Sequence, residues 1–82
     1  MGMRGMTTGS RYFGCFGTVR YIGEIRGRRG SFIGIEFDHP SPSYTDGCFG
    51  DYRYFECPPN SGGIVPQGEF QKVCYIHKLI QM

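Results

Sequence analysis

The sequence predicts an all-β domain, a small and strongly bent antiparallel barrel of short strands joined by long glycine- and proline-containing loops. Three observations carry this. Glycine supplies 14 of the 82 residues, against a usual share of about 7 per cent, so tight turns and close backbone approaches must be frequent. Apolar side chains recur in short alternating runs, and no stretch shows a strong helical period. Proline and glycine then interrupt each run before it reaches helical length.

A chain of 82 residues makes one small domain with a modest core. Seven Phe and six Tyr, with no Trp, enlarge that core, since each aromatic buries roughly 150 to 250 Å². The formal charge of +2 is too small to imply nucleic acid by itself. Distribution is more informative, because Arg26, Arg28 and Arg29 are clustered while the acids are spread through the middle of the chain. Such a basic edge attracts an acidic peptide.

In chain order, residues 1–10 have no apolar period and read as a mobile leader. The domain is expected over residues 11–76, followed by a tail over 77–82. Val19 and Tyr21 alternate with Thr18 and Arg20, as in a strand. Gly27-Arg28-Arg29-Gly30 is a surface turn with two readings, a solvated tip or a guanidinium rim for carboxylates. From Ser31 to Asp38, Ile33, Ile35 and Phe37 fall on one face and Phe32, Gly34 and Glu36 on the other. The aliphatic face is the expected core, and Phe32 is expected to be partly exposed beside the bare backbone of Gly34.

The prolines and serines of 39–43 make a loop, and Asp46-Gly47 makes a turn that needs positive φ. Arg53 to Cys57 is expected as a strand, with Tyr54 and Phe55 facing opposite ways so that one fills the core and the other is displayed. Pro58 to Gly63 turns the chain back into Ile64-Val65. A last apolar segment runs from Phe70 through Val73 to Tyr75 or Ile76. Cys15, Cys48, Cys57 and Cys74 include no C-x-x-C pair, so neither metal nor cofactor is expected. No secretory or membrane segment is evident in the stretch at hand, and free thiols in a reducing, cytoplasmic setting are the expectation.

Four ordered blocks resemble the CAP-Gly domain family. Gly17-Thr18-Val19-Arg20-Tyr21-Ile22-Gly23 is similar to its opening G-T-V-R-Y/F-x-G, and Gly30 to Asp38 is similar to G-x-W-x-G-V-E-L-D. Asp46-Gly47 with Arg53-Tyr54-Phe55-Glu56-Cys57 resembles its turn and Y-F-x-C, and Gly62-Gly63-Ile64-Val65 resembles G-x-F-V. The blocks span roughly residues 14 to 75. The resemblance implies an SH3-like barrel that binds acidic aromatic C-terminal tails of tubulin or of end-binding and linker proteins, at the cytoskeleton. Carried over residue by residue, the peptide site would comprise Phe32, Gly34, Tyr44, Thr45, Asp46, Gly47, Arg53 and Phe55, rimmed by Arg28 and Arg29.

Three departures bear on that site. Phe32 stands where the family keeps a groove-lining tryptophan, and Gly27-Arg28 replaces its apolar F-A pair. Ser43-Tyr44-Thr45-Asp46-Gly47 replaces G-K-N-D-G, so the lysine and asparagine that face the tail carboxylate become hydroxyl residues without charge. Weaker tail binding, or a different protein ligand, is the consequence expected. Two other classes were open from the residues themselves. A nucleic-acid or methyl-lysine reader would draw on Phe32, Tyr44, Tyr52 and Tyr54, and an enzyme would need Cys57 with His77 or Cys48 with His39.

Overall fold

A computed structural model describes residues 2–73. Seven strands are present among the described residues: β1 (Arg4–Thr7), β2 (Phe16–Gly23), β3 (Phe32–Phe37), β4 (Cys48–Phe49), β5 (Tyr52–Arg53), β6 (Gly62–Pro66) and β7 (Phe70–Lys72). A single 3-10 turn over Gln67–Glu69 links β6 to β7. Strands β6-β3-β2-β1-β7 form one antiparallel sheet, and β4-β5 form a separate two-stranded hairpin. The protein is all-β, antiparallel and barrel-like, as the patterning required.

Strand β3 is an interior strand between β6 and β2, and both of its faces have apolar cover. Ile33, Ile35 and Phe37 are 7%, 0% and 4% exposed and pack with Tyr12, Val19 and Val65, as alternation predicted. The opposite face departs from expectation. Phe32 is only 8% exposed, and Gly34 lies under the ring of Phe55, itself 8% exposed. A Cβ on Gly34 would come within 2.5 Å of that ring. The bare backbone is therefore filled by the chain's own aromatic rather than left open for a ligand.

A bulge explains why Tyr21 also reaches this second face. Val19 pairs with Ile35 but Tyr21 pairs with Gly34, so the register shifts at Arg20 and the side chains beyond it change sides. Simple alternation had placed Tyr21 beside Val19. The strand expected from Arg53 to Cys57 is likewise shorter, since pairing ends at Arg53. Tyr54 N–H instead donates to Gly47 O at 2.9 Å, which closes the hairpin and turns Phe55 inward.

Residues 4–7, expected in a leader outside the domain, form β1 between β2 and β7. Ladder bonds on both sides stabilise a strand that lacks an apolar alternation of its own. Its buried Thr7 is satisfied by donating its hydroxyl to Tyr12 O. The final apolar segment begins as β7, while Tyr75, Ile76 and the expected tail lie outside the described residues.

Candidate functional site

A basic turn and an aromatic hairpin meet above the second face of β3. The turn is held by Ile25, a lone apolar residue in a polar stretch, which is 2% exposed and anchors the arginines that follow. Tyr21 donates its hydroxyl to Glu24 O at 2.7 Å, and Arg26 N–H donates to the Tyr54 hydroxyl at 2.9 Å. Both ends of the turn are thus braced by rings from other elements.

Between them lies a groove of about 480 Å³ lined by Tyr21, Glu24, Ile25, Arg26, Gly27, Arg28, Tyr52, Arg53 and Tyr54. The three tyrosines form a connected wall, with ring centroids 5.3 Å apart for Tyr21 and Tyr54 and 4.8 Å for Tyr52 and Tyr54. Arg26 lies 4.2 Å from the centre of the Tyr52 ring, and Arg28 lies 5.2 Å from that of Phe49. Cation–π contact holds guanidinium groups over apolar surface while leaving their N–H donors directed outward. Three arginines against one glutamate make the groove cationic. The combination suits a ligand with carboxylates and an aromatic or apolar side chain.

The Asp46-Gly47 turn forms the neighbouring shoulder. Thr45 Oγ1 accepts the Gly47 N–H at 3.1 Å, so the hydroxyl supplies the local turn bond that short polar side chains commonly make. Thr45 also bridges to Gly62, tying the turn to β6. Asp46 receives Arg53 at 3.0 Å. The Cys48 thiol and the Arg53 guanidinium together hold its carboxyl below the usual carboxylate range. Solvent screens so exposed a pair, so the bond orients Arg53 more than it stabilises the fold.

Of the residues expected in the site, Arg28 and Arg53 line the groove. Arg29 is exposed at the same turn but does not line it, while Thr45, Asp46 and Gly47 shape its shoulder. Gly34 and Phe55 form the buried floor beneath, while Phe32 is buried and lines a separate, smaller cavity with Ile25, Arg28 and Phe49. Tyr44 falls on the other side of β3, with ring centroids 4.6 Å from Phe37 and 5.6 Å from Tyr12. Its hydroxyl lies 3.5 Å from Cys15 Sγ, so it does not take the place of a lysine facing this groove.

Tyr21 and Ile25 carry no signal for this site in the sequence, whereas Arg26 belongs to the basic edge expected to attract an acidic peptide, and Tyr52 and Tyr54 to the rings expected of a stacking surface. The Tyr52 and Tyr54 spacing of two was the available signal for a shared face. The bulge that brings Tyr21 to them is not legible in alternation.

The position of Tyr44 yields a pH prediction. Its bond with Cys15, reinforced by burial and by the charges of Cys15 and Tyr12, pushes its pKa from 10.0 up to about 12. A raised value favours the neutral phenol in the folded state. The associated stability is complete below pH 10 and is lost as pH rises towards about 12. Denaturant unfolding at stepped alkaline pH should show this decline, and Tyr44→Phe should flatten it. An unchanged slope in that variant would remove Tyr44 as its source.

The Cys48 and Cys57 thiols lack the marks of an activated nucleophile. Burial raises the Cys57 pKa, and a hydrogen bond to Asp46 raises that of Cys48, the reverse of what an activated thiolate requires. His77 and Cys74 lie outside the described residues.

Comparison with known proteins agrees with this geometry. The CAP-Gly domain family matches residues 2–70. A Restin homolog from Drosophila melanogaster is 42% identical over 71 residues, covering 79% of this chain and 4% of the relative. Tubulin-specific chaperone E from Danio rerio is 39% identical over 67 residues, covering 79% of this chain and 13% of the relative. CAP-Gly domain-containing linker protein 3 from Xenopus laevis is 38% identical over 56 residues, covering 68% and 10% respectively. The chain thus spans a small part of the length of these relatives. With the family match running from before β1 to the start of β7 over an antiparallel barrel-like fold, the chain belongs to the CAP-Gly domain family.

Proposed function

We propose that this domain is a non-catalytic peptide-binding module for an acidic C-terminal tail ending in an aromatic residue, carried by tubulin or by a microtubule-associated linker protein. The observation that carries this reading is the juxtaposition of Arg26, Arg28 and Arg53 with Tyr21, Tyr52 and Tyr54 in one groove. Relatives named as a tubulin-specific chaperone and as a linker protein support the partner class. A cytoplasmic, cytoskeleton-associated setting accompanies the same proposal.

Arginine forks bind the tail carboxylates, and the tyrosine wall receives its terminal ring. Because Tyr44 is turned away, charge reaches the ligand from the basic turn and Arg53 rather than from a lysine in the altered motif. The test is a titration with an acidic peptide ending in Glu-Glu-Tyr beside the same peptide amidated at its C-terminus. Binding that is measurable for the acid, weaker for the amide and progressively lost with added salt is the expected result. Equal affinity for both peptides at every salt concentration would sink the proposal.

Single replacements Arg26→Ala and Arg53→Ala should each lower tail affinity by no more than about fivefold, as expected for solvent-screened charges. The double replacement should approach the product of the two losses while the unfolding midpoint stays level. A full loss from either single change would mean that one arginine is a buried anchor, against the exposure seen here.

A further inference from the structure

We propose that Tyr52 is a phospho-acceptor residue, and that a phosphate on its hydroxyl closes the groove to acidic ligands by engaging the groove's own arginines. This regulatory step rests on the tail-binding reading above. Tyr52 is set apart from the other described tyrosines by the combination of exposure and an unpartnered hydroxyl. It is 42% exposed, whereas Tyr12 is buried and Tyr21, Tyr44 and Tyr54 are half-buried. Its hydroxyl has no hydrogen-bond partner among the described residues, a property shared with the buried Tyr12, whereas those of Tyr21, Tyr44 and Tyr54 are engaged with Glu24 O, Cys15 Sγ and Arg26 N–H.

Its backbone setting also suits an incoming enzyme. Tyr52 opens β5 in a hairpin of only two residue pairs, Cys48 with Arg53 and Phe49 with Tyr52, outside the five-stranded sheet. So short a ladder opens locally at far lower cost than the core. Opening presents Tyr52 in extended chain without disturbing Ile33 or Ile35 on the far face of β3.

In the modification, a protein kinase transfers the terminal phosphoryl group of a nucleoside triphosphate to Tyr52 Oη. The Oη–P bond forms as the bond from that phosphorus to the bridging oxygen breaks, the nucleoside diphosphate leaves, and the phenolic proton passes to the kinase base. The product adds a charge of about −1.5 to −2. Arg26, Arg28 and Arg53 outnumber Glu24 in the lining even with Asp46 paired to Arg53 at its shoulder, and one phosphate cancels that positive surplus. Arg26 already lies 4.2 Å from the Tyr52 ring centre and Arg53 is the next residue. Guanidinium forks match phosphate as well as carboxylate, so the modified residue competes for the donors that a tail would use.

The experiment has three readouts. The folded domain is treated with a tyrosine kinase and ATP and mapped by mass spectrometry, with Tyr52 expected to be modified ahead of Tyr12, Tyr21, Tyr44 and Tyr54. Phosphotyrosine is then installed at position 52 by chemical synthesis, and its phosphorus resonance is titrated in the folded and the urea-unfolded chain. A lower phosphate pKa in the folded chain is expected, because the arginines favour the dianion. Finally, affinity for the Glu-Glu-Tyr peptide should fall at least tenfold and recover after phosphatase treatment, while kinase treatment of Tyr52→Phe leaves that variant's own affinity as it was.

Modification of the buried or half-buried tyrosines instead, the same phosphate pKa in both states, or undiminished peptide affinity would each overturn the proposal. The phosphorus titration needs no peptide. Failure of the unmodified domain to bind the tail therefore overturns the function proposed above, and an unshifted phosphate overturns this one.

Discussion

Replacing Gly47 by valine should abolish stable folding. Gly47 has φ of 107°, a conformation that costs a side-chain-bearing residue roughly 1 to 3 kcal/mol. The larger penalty is steric, because a Cβ at this position would stand 1.8 Å from Phe55 O. The obstructing atom is backbone and cannot swing aside as a side-chain tip would. Relieving the clash separates the Asp46-Gly47 turn from Phe55 and so lifts the ring that covers Gly34. The combined loss should exceed about 4 kcal/mol, a large share of the roughly 5 to 15 kcal/mol that holds a typical domain together. Gly50→Ala is the control: φ is 65° there but a Cβ would meet nothing within 4 Å, so only backbone strain is added. Denaturant unfolding of both variants is the measurement. A Gly47→Val protein that unfolds at the native midpoint would show that the turn adjusts freely.

Phe32→Ala should destabilise the domain by about 3 to 5 kcal/mol, on a par with the roughly 2 to 5 kcal/mol expected for Ile35→Ala. Both side chains are buried, at 8% and 0% exposure, on opposite faces of β3. This reverses the expectation from alternation, in which Phe32 was displayed and its loss would fall mainly on binding. With Phe32 buried and outside the groove lining, tail affinity measured on the fraction still folded should change much less than stability does. Unfolding midpoints and peptide titrations on both variants separate the two cases. Near-native stability of Phe32→Ala with a large loss of affinity would restore the exposed assignment.

Local chemistry determined much of this protein. The fold class followed from glycine frequency and short alternating runs, and the Ile33, Ile35 and Phe37 face followed from a period of two. The Asp46-Gly47 turn was legible because positive φ and a close backbone approach leave few residue choices. The four motif blocks, read together, were sufficient to point to the family that matches residues 2–70.

Tertiary structure decided which aromatics are displayed. Alternation assigns side chains to two faces but does not say that both faces are covered, as happens where Phe55 settles onto Gly34. A one-residue bulge at Arg20 carries Tyr21 to the groove side, and no propensity in Val19-Arg20-Tyr21 announces it. Strand β1 forms because two neighbours supply its ladder bonds, a stabilisation absent from its own composition. Tyr44 joins Tyr12 and Phe37, although a motif position had suggested it would face the ligand. In each case the outcome depends on contacts between residues distant in sequence, whose energies exceed the local preferences from which a sequence is read.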